Sequence, residues 1–253
     1  KFCGDGSNLT NLPASGGFEP DAQGNLKAGT KAGEDFDADT YENIALGCCA
    51  LSDNCAADYN IALGYYAGKY LSSGDGHNIF IGQDAGCSGC TSTYNIFLGK
   101  YSGRCLGNSA HKNIAMGCES FRCSESGAYN IAFGAKAMGE GVVCGDYNVI
   151  MGTLAGCKTT SAHTNIFIGC AAGRNLTTGN YNLGMGTCAG GGVGDKTGNY
   201  NISFGHRAGM QMTSGSGNIF MGNAAGCLGT ITGNINIAMG TNSMMSLTSG
   251  IGN

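Results

Sequence analysis

The chain has 253 residues, with 47 Gly, 14 Cys, 10 Met, only 2 Pro and no Trp, and 12% of them are charged. Its formal charge of −4 is unevenly placed: residues 1–42 hold eight Asp/Glu against three Lys/Arg, whereas the rest is close to neutral. A near-neutral body without a basic stripe argues against nucleic acid as a partner; glycines at fixed places, never at every third residue, exclude collagen; and no apolar run is long enough to cross a bilayer.

Residues 1–24, opening KFCGDGSNLTNLP, read as a linker. Next comes an acidic stretch, Asp35-x-Asp37-x-Asp39, which begins like a calcium loop. Thr40 stands where that loop requires Gly and Leu46 where it requires Glu, so a solvated acidic insertion is the expectation.

From residue 25 onward one phrase dominates. An apolar tripeptide between Asn and Gly recurs with its Asn at Asn43, Asn60, Asn78, Asn95, Asn113, Asn130, Asn148, Asn165, Asn182, Asn201, Asn218 and Asn236, at steps of 17 or 18 residues and once 19. Counting each Asn as position 0, Gly stands at +4 and Ala or Ser at +7 in all twelve copies. A degraded copy, NLKAGTKAG, starts at Asn25, and a further copy would open at Asn253. The expected organisation is therefore a linker over 1–24 and one repeat domain over 25–253: a degenerate first coil at 25–42, regular coils at 43–252, and a next coil opening at 253. The parent chain is expected to be longer.

The fixed Gly and the β-branched residue after Asn oppose helix, and the period is too short for a helical hairpin repeat. It suits one lap of a parallel β-solenoid. The fold expected is all-β, a β-roll of about 13 coils rising about 4.8 Å each, or roughly 60 Å in all. Each lap is expected to hold a strand on Asn-Ile-x-x-Gly and a second short strand on the way back. The twelve Asn amides, stacked in one column, would form a side-chain ladder, Gly at +4 would supply positive φ, and the Tyr residues before Asn (59, 94, 129, 147, 181, 200) would stack along one edge.

Within a strand, side chains alternate between faces. Positions +1 and +3, always large and apolar, are expected to fill the interior. Position +2 never carries a charge and includes Phe80, Phe97, Ile150, Phe167 and Phe220, so it is expected to pack against another copy of the chain.

The cysteines allow two readings, buried small hydrophobes or inter-coil disulfides. Cys87, Cys105 and Cys123 are 18 residues apart and Cys170 and Cys188 stand similarly, a spacing compatible with disulfides between successive coils. Cys87-Ser-Gly-Cys90 alone is a weak metal motif. The four His share no spacing with a nucleophile or carboxylate, and Gly190–Lys196 matches no phosphate loop. Asn8, Asn175 and Asn201 head glycosylation-like triplets that read as chance. No catalytic, cofactor or metal residue is assigned, and an enzyme is not expected. Thr is too scattered for an ice-binding array.

The repeat, with its NIAxGxxAG phrase, resembles the head repeats of trimeric autotransporter adhesins, left-handed parallel β-rolls with a shorter, Cys-poor unit. It looks closer still to Gly-rich repeats of marine phage tail-fibre and appendage proteins, whose linkers are similar to FCGDGSNLTNLP. The resemblance implies a homotrimer of solenoids packed side by side. It also implies a non-enzymatic shaft or head segment of a viral fibre on the virion surface, joined to other fibre segments and holding a receptor-binding tip. The alternative is a bacterial surface adhesin or secreted extracellular filament subunit that meets a host glycan or protein or its neighbours. Neither reading involves nucleic acid or membrane insertion.

Overall fold

A computed structural model describes residues 19–71, 76–88, 91–107, 109–192, 194–246 and 248–253. These residues form a parallel β-solenoid. Thirteen three-residue strands, from Leu26–Ala28 to Ile237–Met239, stack in chain order into one parallel sheet. Register follows the repeat: Ile44 pairs with Ile61 and Ile61 with Ile79, and the single 19-residue step is absorbed between Leu183 and Ile202. Among the described residues there is no helix, and so none long and apolar enough to cross a membrane.

Each lap turns at fixed places. Gly at +4 ends the strand; Gly134, with φ of 128°, is typical. A Cβ there would lie 2.6 Å from the carbonyl carbon of Gly152 in the next coil, so the close approach of backbones excludes any side chain. Positions +6, +8 and −1 also lie in the left-handed region; +8 is most often Gly, but it also bears ordinary residues such as Leu51 at 47°, as do +6 and −1, with Tyr66 at 57° and Tyr59 at 58°. Such residues cost about 1 kcal/mol or more each, and most are held by hydrogen bonds to adjacent coils, as where the Tyr59 N–H donates to the Tyr41 carbonyl at 3.1 Å.

The return limb is less regular than expected. Among the described residues, a second parallel sheet exists only across Cys105–Leu106, Cys123–Ser124 and Val142–Val143. Elsewhere it is reduced to isolated bridges, Leu176 to Lys196 and Met212 to Ile231, or to single cross-coil hydrogen bonds.

The asparagines form one buried column. The Oδ1 of Asn113 accepts the backbone N–H of Asn130 at 2.9 Å and its side-chain N–H at 3.2 Å, and Asn130 donates its other amide hydrogen to the Gly145 carbonyl at 2.9 Å. The ladder is continuous. Below this pair, Asn43 donates its side-chain amide to Asn25, Asn60 to Asn43, Asn78 to Asn60, Asn95 to Asn78 and Asn113 to Asn95. Above it, Asn148 donates to Asn130, Asn165 to Asn148, Asn182 to Asn165, Asn201 to Asn182, Asn218 to Asn201, Asn236 to Asn218 and Asn253 to Asn236. The longer step between Asn182 and Asn201 leaves it unbroken, and Asn182, at 5%, is the most exposed of the twelve. Each amide spends its donors and lone pairs inside the protein, so a polar column can stand in the core without an unpaired group.

That column fixes which residues are inside. Positions 0 and +2 share a face of the strand, so burying Asn also buries +2. Phe80, Phe97, Ile150 and Phe220 are fully enclosed and Phe167 is 3% exposed. The expectation that these five form a subunit interface is corrected: they are the core. Positions +1 and +3, expected inside, face outward, because one strand cannot present both sets to a lumen closed by so short a lap.

The narrow lumen imposes a second rule. Position +8 lies across it from +2, and the two sizes are reciprocal. Opposite Phe80, Phe97, Phe167 and Phe220 stand Gly86, Gly103, Gly173 and Gly226, where an added Cβ would meet the ring at 2.4 to 2.6 Å. Opposite Ala45, Ala115 and Ala132 stand the buried Leu51, Phe121 and Met138. Most layers hold one large side chain, from either wall. The layer of Ala62 and Gly68 holds none of its own and is filled by Leu51 and Phe80 of the adjacent coils, which would lie 2.7 and 2.8 Å from a Cβ on Gly68. The pattern lapses again where Gly184 faces Gly190 and Ser203 faces Gly209, and there the apolar core divides into one cluster ending at Leu176 and another beginning at Ala208.

Candidate functional site: the outer face of the sheet

The outward rows at +1 and +3 run the length of the sheet. From Ile44 to Met239 they hold only Ile, Leu, Val, Met and Phe. Neighbours in each row shield one another partly, yet Ile131 stays 37% exposed, Phe133 48%, Ile166 41% and Phe204 48%. The strip is about 60 Å long and two side chains wide, on the order of 600 Å². That stands at the upper limit of apolar patches on monomeric proteins and near the roughly 800 Å² that one partner contributes to a standard specific interface.

One border of this face is the −1 column. Tyr59 and His77 lie with ring centroids 4.8 Å apart, His77 and Tyr94 4.9 Å, Tyr129 and Tyr147 4.9 Å, and Tyr181 and Tyr200 5.0 Å. Lys112 continues the stack, its Nζ over the Tyr129 ring and 2.9 Å from the Tyr129 hydroxyl. The coil rise sets this spacing, and the left-handed backbone at −1 turns the rings outward together. Stacked rings spend their faces on one another, so they present edges and hydroxyls rather than a flat platform for a sugar.

Other sequence candidates have local structural roles. Asp37 Oδ1 accepts from the Asp39 N–H and the Thr40 hydroxyl, closing a turn. Asn175 donates its amide to the Gly192 carbonyl, and Asn201 stands in the asparagine column. His111 and His163 bond to Thr93 and Asp146 of the preceding coil. Desolvation by burial, with Lys112 beside it, lowers the pKa of His111. Among the described residues, no three His, Cys, Asp or Glu side chains converge as metal ligands would. Asn8 and Cys90 lie outside the described residues.

All twelve described cysteines are free thiols. The expected column of three separates into two positions, because the step between Asn78 and Asn95 is 17 residues. Cys87 falls at +9 and is buried, like Cys157 and Cys227, while Cys105 and Cys123 fall at +10 and pair in register. Cys170 and Cys188 are one position out of step: the Cys188 N–H donates to the Cys170 carbonyl at 2.9 Å, and both side chains reach solvent.

Lys196 is not singled out by the sequence. Its Nζ enters the lumen and donates to the carbonyls of Met210, at 2.9 Å, and Met212. Burial lowers its pKa from 10.5 to about 8.

No family model matches the chain, and neither a curated protein nor a solved structure does so.

Proposed function

We propose that this chain is a non-enzymatic structural segment of a fibre, in which copies stand side by side with their outer sheet faces together. The uncharged face formed by positions +1 and +3 carries this reading. Left in water, two rows of large apolar side chains forgo on the order of 25 cal/mol for each Å² that association could bury. A cyclic trimer, three faces around one axis, would hide the strip and leave the polar turns outside. The reading extends to the shaft or head of a viral tail fibre or appendage, on the repeat phrase and the linker phrase before it. A stiff rod suits a spacer that holds a terminal binding module away from its anchor.

Negative-stain electron microscopy of the purified segment tests this. Rods about 60 Å long and several solenoids thick are expected. Particles one solenoid thick would overturn the proposal.

A further inference from the structure

On the wall away from the main sheet, Cys105 stands directly over Cys123 in parallel register. Cys105 is exposed and Cys123 half-buried. The column holds no third thiol: Ser88 borders Cys105 on one side and Val142 pairs with Cys123 on the other. Both cysteines open on a cleft of about 350 Å³, lined also by Ser88, Leu106, Ser124 and Glu125.

We propose that Cys105 and Cys123 form an oxidisable pair, which closes a disulfide between successive coils when a soluble disulfide of the oxidised-glutathione class reaches the cleft. The exposed Cys105 gives its proton to water, and its thiolate attacks one sulfur of the oxidant. One glutathione thiolate leaves. Cys123 then loses its proton and attacks the Cys105 sulfur of the mixed disulfide, expelling the second glutathione thiolate. Two protein thiols lose two electrons in all, and the oxidant takes up those electrons and two protons.

The geometry also predicts that the bond is labile. One coil step of about 4.8 Å places the Cα atoms within the disulfide range of 4.4 to 6.8 Å, but it carries the Cβ atoms apart by the same step, beyond their usual 3.8 Å or so. The bond therefore draws two coils together locally, and such strained, accessible disulfides are readily reduced. Buried Cys87, Cys157 and Cys227 serve as internal controls that stay reduced.

Peptide mass spectrometry after incubation with oxidised glutathione tests the pair. Cleavage after Lys and Arg yields residues 105–112 and 123–136, each with one cysteine. The expected product joins these two peptides at their summed mass less two hydrogens, from a protein that still runs as one chain under denaturing, non-reducing conditions. Dithiothreitol should reverse it, and Cys105→Ser should leave residue 123 unlinked to any peptide. Separate glutathione adducts on the two peptides of the wild type, unmodified thiols, or a link between chains would each overturn the proposal.

Discussion

Phe121 projects into the lumen from +8 and lies against Phe97, which enters from +2 of the preceding coil, with ring centroids 6.2 Å apart. Phe80 extends the column, 5.6 Å beyond Phe97. Three rings from two walls thus share one continuous core, and small residues opposite each of them leave the room.

This reciprocity is testable by exchange. Phe121→Gly should cost about 3 to 5 kcal/mol as a cavity, and Ala115→Phe alone should overpack its layer by about 1 to 3 kcal/mol. The double variant moves the ring to the other wall and should recover most of the loss. Thermal unfolding of all four proteins measures the coupling; strictly additive losses would show that the two positions do not share space.

Backbone positions should respond in opposite directions. Gly134→Ala sets a Cβ 2.6 Å from backbone of the next coil, which no rotamer can relieve, and should destabilise by several kcal/mol. Ile235 is β-branched at φ of 57° and 65% exposed, so Ile235→Gly should stabilise by about 1 kcal/mol. Denaturant titration of both variants checks the signs.

Lys196 gives a pH signature. Its folded pKa is about 8 against 10.5 ordinarily, so the unfolded chain binds the proton more tightly and stability must rise between those two values. Below pH 8 both states are protonated and the full penalty, about 3 kcal/mol, is present. Wild type minus Lys196→Met should therefore gain stability from pH 8 to 10.5. A flat difference would place the ammonium in a solvated site.

Much of this is legible in the sequence. The recurrence of Asn and Gly fixes the lap, its register and the positive φ at +4, because each is a backbone requirement repeated twelve times; the left-handed residues at +6 and −1 are ordinary ones such as Tyr66 and Tyr59 and carry no such signal. The inside and outside of the strand are not, because hydrophobicity alone cannot orient a strand that is apolar on both faces. Parity could have done so: Asn at 0 can form an enclosed ladder only if +2 is enclosed with it. The pairing of Phe97 with Gly103, and of Ala115 with Phe121, is also present in the letters, and it becomes meaningful only once +2 and +8 are known to face each other. Cys87 is misplaced by one position because a count of 18 ignores a 17-residue coil. Lys196 falls in the longest coil, where the repeat frame slips and gives no sign that the side chain turns inward.

Self-association through the outer face is tested most directly by light scattering on the purified chain and on the double variant Ile131→Lys/Phe133→Lys. Both substitutions lie on the outward face, at 37% and 48% exposure, and should leave the fold intact by circular dichroism. The wild type should have about three times its chain mass of 25.6 kDa and the variant the mass of one chain. A wild type already at 25.6 kDa, with the apolar strip open to water, would contradict the account.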